Sequence, residues 1–209
     1  MGTAVFLVAG AIAFGGGCLA RSRYERDCLV TEEYRTVSEK IHGPGKTIVF
    51  LTDLHNKEFG DQNCRLLDAV RKVKPDAVLS GGDGMVAKKG NSDVEIPRKL
   101  LTELAKEFPV YCGNGNHECR MVWKSDIYGA AYENYQAALE NAGIRYLANG
   151  SADLDGEIRI YGLDLPKSAY LPRSGQIPEN LLKDALGEPD PGRFNLLLAH
   201  SPLFFEEYA

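Results

Sequence analysis

The sequence lacks the cysteine pattern of a disulfide-stapled or zinc-stabilised fold. Its five cysteines, Cys18, Cys28, Cys64, Cys112 and Cys119, are odd in number and none stands in C-x-x-C spacing. A disulfide framework and a structural zinc site are therefore not expected, and reduced thiols favour a domain facing the cytosol. The chain also has no basic excess: 24 Lys and Arg stand against 29 Asp and Glu, for a formal charge of -5, with the two signs mixed along the chain. A general nucleic-acid binder would show a basic face, so no nucleic-acid partner is expected. There is no G-x-S-x-G elbow, which leaves Ser201 beside His200 without the local context of a serine hydrolase. No internal repeat or low-complexity tract breaks the chain, and no Lys or Arg precedes the apolar run near its start, as a secretory signal would usually require.

That run, Thr3 to Ala20, is almost wholly apolar or glycine and is about the minimum length for one membrane span. Arg21, Arg23 and Arg26 follow it, so the positive-inside bias places the C-terminal part on the cytoplasmic side. The expectation is a single-pass cell-membrane protein: a transmembrane or signal-anchor helix over 1–20, a connector over 21–46, and one domain over 47–209. The other reading of the leader is a poorly ordered glycine-rich segment, with five glycines between Gly2 and Gly17. Within the connector, Tyr34-Arg35-Thr36-Val37 alternates polar and apolar residues and is compatible with an edge strand.

From Thr47 onward strands and helices alternate. Thr47–Leu51, Ala77–Ser80, Val110–Cys112 and Ile144–Leu147 read as short strands buried on both faces. Between them the 3.6-residue spacing predicts helices over Gln62–Val73, Val94–Phe108 and Tyr128–Asn141. Alternation of this kind implies an α/β fold with a parallel sheet. The pattern then changes: Ala152–Leu154 and Ile158–Leu163 flank Asp155-Gly156, a hairpin signal that points to a second, partly antiparallel sheet. Glu179–Leu186 reads as a short helix and Phe194–Ala199 as a further buried strand. The tyrosines Tyr132 and Tyr135 fit the buried face of the third helix, whereas Trp123 suits either a pocket lip or the core.

Four polar clusters fall just beyond these strands: Asp53-Leu54-His55, Gly82-Asp83, Gly115-Asn116-His117-Glu118 and His200. Ligands of open α/β sheets bind beyond the carboxyl ends of the strands, so the four clusters can converge. Singly, each has an ordinary explanation as a turn, a helix cap or a satisfied histidine. Together, in this order, they resemble the calcineurin-like metallophosphoesterase superfamily, whose pattern runs D-x-H, G-D, G-N-H-[DE], a lone His, and G-H-x-H. The resemblance covers residues 47–209, and the tract Leu51–Gly60 is similar to a membrane-anchored bacterial branch, some members of which cleave a lipid-linked sugar nucleotide.

The resemblance implies a four-layer α/β/β/α sandwich and two divalent metal ions, manganese, iron or zinc. It implies Asp53 and His55 as ligands of the first ion, Asp83 as the bridge, and Asn116 and His200 as ligands of the second. His117 would not ligate metal but would be the catalytic residue that contacts phosphate and protonates the leaving oxygen or stabilises charge there, with Glu118 behind it to orient the ring. The implied reaction is hydrolysis of a phosphomonoester, phosphodiester or pyrophosphate by a metal-activated water, on a phosphate-ester substrate that is lipid-linked or a nucleotide. The G-H-x-H element does not follow His200, so the chain is expected to be a truncated form without its last strands. The alternative is a membrane-tethered binding module that keeps the fold without the catalysis.

Overall fold

The chain divides into two units, Met1–Tyr34 and Arg35–Ala209. The computed structural model describes residues 2–171 and 175–208, with side chains over 13–171 and 175–208. The first unit carries one helix, α1 (Gly2–Asp27), which runs on through Arg21, Arg23 and Arg26 rather than ending at Ala20. Arg21 pairs with Glu25 one turn later at 2.7 Å. The expected membrane-spanning helix is not supported: among the described residues, no helix is long and apolar enough to cross a membrane. Part of the run Thr3–Ala20 lies outside the described side chains.

The edge strand expected at Tyr34–Val37, where the two units join in sequence, does not form. Tyr34 and Val37 are exposed and the segment pairs with no strand among the described residues, so its alternation has no sheet to bury one face against. The first sheet contains β1 (Ile48–Leu51), β2 (Ala77–Ser80), β3 (Val110–Cys112) and β4 (Arg145–Tyr146) in that spatial order, all parallel. Parallel crossovers are right-handed in almost all proteins, so a sheet whose order follows the sequence places its helices on one face. The helices of those crossovers are α2 (Cys64–Val73), α3 (Glu95–Ala105), α4 (Asn116–Trp123), α5 (Ser125–Tyr128) and α6 (Ala131–Asn141). Their apolar stripes are buried, as at Leu66, Leu67 and Val70 of α2 and Leu100, Leu101 and Leu104 of α3. The helix expected over Tyr128–Asn141 starts instead at Ala131, because Gly129 adopts a φ of 57° and turns the chain there, leaving Tyr128 as the last residue of α5.

The other face of the first sheet is left to a second sheet, which carries β5 (Gly150–Asp153), β6 (Ile158–Leu163) and, after α7 (Leu181–Leu186), β7 (Phe194–Ala199). β5 and β6 are antiparallel and β6 and β7 are parallel. The hairpin expected at Asp155-Gly156 is present, closed by the Asp155 carboxylate, which accepts from the N–H groups of Glu157 and Ile158 at 2.8 and 3.0 Å. Ala77, Leu79 and Tyr111 of the first sheet meet Ile158, Ile160 and Leu198 of the second in one buried cluster. Each of the leucines and isoleucines among them contributes roughly 1.5–3 kcal/mol on burial. α7 covers the outer face of the second sheet, with Leu181, Leu182, Ala185 and Leu186 packed on Leu163, Leu165 and Phe204. The result is the four-layer α/β/β/α sandwich. β1, β2, β3 and β7 direct their carboxyl ends to one edge of it, and a last short helix, α8 (Phe205–Tyr208), follows there.

Candidate metal centre

The loop after β1 is built alongside the loop after β2. Asp53, His55 and Asn56 donate their N–H groups to the carbonyls of Gly82, Asp83 and Gly84 at 3.1, 3.0 and 2.9 Å. This short ladder holds Asp53, His55 and Asp83 in left-handed backbone conformations, with φ of 55°, 50° and 52°. For a residue with a Cβ that conformation costs roughly 1–2 kcal/mol. Strain of this kind persists only where surrounding bonds over-determine it, and it concentrates at functional sites.

The loop after β2 in turn abuts the loop after β3. A Cβ on Gly82 would overlap the backbone nitrogen of Gly115, and one on Gly115 would overlap the Asp83 carboxylate. Glycine is thus required at both positions for the approach itself, and at Gly82 also for a φ of 90°. The contact is held by Glu118, which is 2% exposed. Its Oε2 accepts from the N–H groups of Asp83 and Gly115 at 2.9 and 3.0 Å, and its Oε1 from Gly84 at 3.1 Å. Glu118 therefore does not orient the His117 ring as expected from the sequence. It sits beneath the Gly82–Gly84 turn, where three backbone donors converge on it.

These loops bring two groups of donors together around one carboxylate. His55, Asp83 and His117 form the first, and Asp53, Asp83 and His200 the second; in each, the nitrogen and oxygen atoms lie within 4.8 Å of one another. Asp83 belongs to both. His55 Nε2 stands 3.4 Å from Asp53 and 3.7 Å from Asp83 Oδ2, and His200 Nε2 stands 3.4 Å from that same Asp83 oxygen. The second Asp83 oxygen accepts the His117 backbone N–H at 2.8 Å. Asn116 opens α4 one residue before, half-buried. Thr52, which the sequence did not single out, donates its hydroxyl to Asp53 at 2.7 Å.

The sequence model of the calcineurin-like phosphoesterase family matches residues 46–209. The chain belongs to that family. No curated protein matches it.

The donor chemistry of this phosphoesterase fits divalent metal ions. Carboxylate oxygen and imidazole nitrogen surround the site, and the nearby thiols are buried: burial pushes Cys112 up to about 12 and Cys119 higher still. The two buried histidines differ in which nitrogen they offer. A backbone N–H only donates, so the His117 Nδ1 that faces Ala87 N at 2.9 Å is an acceptor, and the neutral ring carries its proton on Nε2. A carbonyl only accepts, so the His200 Nδ1 that faces the Gly81 oxygen at 3.0 Å is the donor, and Nε2 of the neutral ring presents a lone pair. A histidine that gives its far N–H to a backbone carbonyl is the usual arrangement of a metal ligand.

The charges at the site are mutually dependent. Burial disfavours the Asp83 carboxylate, yet the His200 hydrogen bond and the His117 N–H outweigh it and hold its pKa below the ordinary value. Burial lowers His200, and the adjoining Asp83 carboxylate raises it further than that, to about 9. His117 is lowered by burial, which exceeds the pull of Asp83. Burial, with the charge of Asp83, pushes Glu118 up to about 7 against the opposing effect of its three amide donors.

Asp53 and His55 are open to solvent, whereas Asp83 and His117 are buried and His200 nearly so. Beside Asp53 and His200 a trough of about 500 Å³ runs between β1 and β7, with Ile48, Phe50, Leu196 and Ala199 in its walls. Tyr132 and Tyr135 are buried on α6 as expected. Trp123 is half-buried, its ring 5.8 Å from Tyr170, which lies 6.4 Å from the His200 ring. Two further polar residues went unnoticed in the sequence: Asn114, between two glycines, and Asp164, at the end of β6. The only sequence signal was an Asn where the chain otherwise bears no side chain between Cys112 and Asn116.

Proposed function

We propose that the chain is a metal-dependent phosphohydrolase that cleaves a phosphomonoester, phosphodiester or pyrophosphate bond at a two-metal centre. The observation that carries the reading is that Asp83 is common to two separate donor groups, as a carboxylate between two ions must be. The donor groups pair His55 with His117 and Asp53 with His200. In this reading the 3.4 Å approach of His55 to Asp53 puts those two on one ion, Asn116 and His200 would hold the other, and Asp83 would serve both. Bound there, the ions supply positive charge for the phosphate oxygens and acidify a water for attack.

The protein's own groups supply the rest. His200 offers Nε2 because Gly81 fixes its tautomer. His117, whose Nε2 carries the proton, is suited to donate a hydrogen bond to a phosphate oxygen or to the departing oxygen and so to stabilise the charge that develops there. Burial lowers its pKa and favours the neutral ring, so Nε2–H acts as a fixed hydrogen-bond donor that stabilises charge on the phosphoryl and leaving-group oxygens. Glu118 and the glycines of both loops fix the distance between Asp83 and His117.

The test is turnover with metal content. Purified protein is loaded with manganese and assayed on aryl phosphate mono- and diesters. The reading expects hydrolysis of at least one class, abolished by chelation and restored by metal. Hydrolysis that survives chelation contradicts it and points to a serine mechanism, as does bound metal with no turnover on any ester class, which leaves a binding module.

A further inference from the structure

The loop that carries Asn116 and His117 begins Gly113-Asn114-Gly115, and its two glycines give it little intrinsic stiffness. Its single side chain is saturated with hydrogen bonds. Asn114 is 3% exposed. Its Nδ2 donates to both oxygens of Asp164, at 3.1 and 3.0 Å, and to the Tyr132 hydroxyl at 2.9 Å. Its Oδ1 accepts from Tyr146 at 2.5 Å. Asp164 is itself fixed: it follows β6 directly, and its N–H donates to the Asn149 side chain at 2.9 Å. Asp164 belongs to neither group of metal-binding donors.

The arrangement is unusual in its choice of partner. The half-buried Asp164 carboxylate faces no cation in these bonds but a fully buried neutral amide. An amide supplies two donors and an acceptor in one plane, so it can tie three elements at once: β6 of the second sheet, β4 through Tyr146, and α6 through Tyr132. What it ties them to is the Gly113–Gly115 turn between β3 and the residues that face Asp83, a turn whose backbone is otherwise held by Gly113 N–H on Ser80 and Gly115 N–H on Glu118.

We propose that Asp164 is a positioning residue, which acts through Asn114 to fix the Gly113–Gly115 loop and so to hold Asn116 and His117 in place at the metal centre. The inference rests on the two-metal reading above for its catalytic consequence, but the mechanical consequence stands apart from it. Asp164→Ala leaves Asn114 with a free donor and frees the loop. Asp164→Asn keeps an oxygen within reach of that donor and restores the restraint.

The experiment compares the full chain with Asp164→Ala, Asp164→Asn and the milder Tyr146→Phe. Three quantities are read: amide hydrogen exchange over residues 113–118, manganese affinity without substrate, and kcat with KM on the best aryl ester. In Asp164→Ala, exchange over 113–118 is expected to rise about tenfold while β2 keeps its protection, and manganese affinity and kcat each to fall about 10–100-fold with KM less changed. Asp164→Asn is expected to return all three to within about threefold of the native values, and Tyr146→Phe to shift them in the same direction by a smaller factor. Unchanged exchange over 113–118 in Asp164→Ala overturns the proposal. So does a uniform rise in exchange across the first sheet, which marks a merely structural role, and so does failure of Asp164→Asn to rescue. If Asp164→Ala does not fold, unchanged exchange over 113–118 in Tyr146→Phe overturns it in the same way. If the native chain binds no manganese and cleaves no ester, the two-metal reading fails, while the exchange data still decide whether Asp164 fixes the loop.

Discussion

Removal of the Glu118 carboxylate should be among the most damaging single changes in this protein, although it touches neither histidine ring. The side chain accepts three backbone N–H groups, from Asp83, Gly84 and Gly115. Glu118→Ala leaves all three in a site where Glu118 itself is 2% exposed. A buried donor without a partner costs about 1–3 kcal/mol, so the three together reach about 3–9 kcal/mol. Water admitted to the vacated space can meet one or two of them, which leaves one or two unpaired and brings the expected loss to about 1–6 kcal/mol. Small domains are stable by only about 5–15 kcal/mol in total. Glu118→Gln should be milder. Its one oxygen best replaces Oε2, which serves two donors, and its NH2 then faces the Gly84 N–H, for a loss of about 1–3 kcal/mol. Urea unfolding followed by circular dichroism, with equal m-values required of all three proteins, measures the differences. An alanine variant within about 1 kcal/mol of the native chain, or a glutamine variant less stable than alanine, would refute the view that this carboxylate fastens the two loops.

Other consequences follow from the same geometry. Gly82→Ala should cost more than about 2 kcal/mol, because the new methyl overlaps Gly115 at a φ of 90°, whereas Gly143→Ala, also at positive φ but with open space around it, should cost about 1 kcal/mol; thermal unfolding distinguishes them. His117→Ala should keep its manganese and lose about 10²–10⁴-fold in kcat, whereas His200→Ala should weaken metal binding itself; equilibrium dialysis beside initial rates separates the two, and metal loss in His117→Ala would reverse the assignment. Cys64 is exposed while Cys112 is buried with its thiol pushed up to about 12. At pH 8 only about one Cys112 in 10⁴ is thiolate, so a thiol reagent should label Cys64 within minutes and Cys112 only on unfolding; prompt labelling of Cys112 would contradict the packing of β3.

The sequence made the strands legible because short buried strands are continuous apolar runs, and β3 and β7 fall where that pattern places them. Helix bounds were less legible. Nothing in the periodicity of Tyr128–Asn141 reveals that Gly129 turns the chain there. The strand expected near Tyr34 failed for a related reason, since alternation makes a strand only where a neighbour is available to pair with it. At the site, the residues themselves could be read, but not what they do to one another. The hydrogen bonds of Glu118 depend on backbone donors from the far side of a loop contact, and the Asn114–Asp164 pair joins two sheets across 50 positions of sequence. The tautomers of His117 and His200 depend on a single backbone group each. Such facts belong to three-dimensional placement and leave no trace in spacing or composition.

The central claim is that Asp83 serves two metal sites at once, and metal stoichiometry tests it most directly. Titration of the chelator-stripped chain with manganese, read by calorimetry and checked by elemental analysis, should give two ions per chain. Asp83→Asn should weaken both together, while His200→Ala should weaken one and spare the other. A native stoichiometry of one, or an Asp83→Asn variant that loses a single ion and keeps the second at native affinity, would contradict the account.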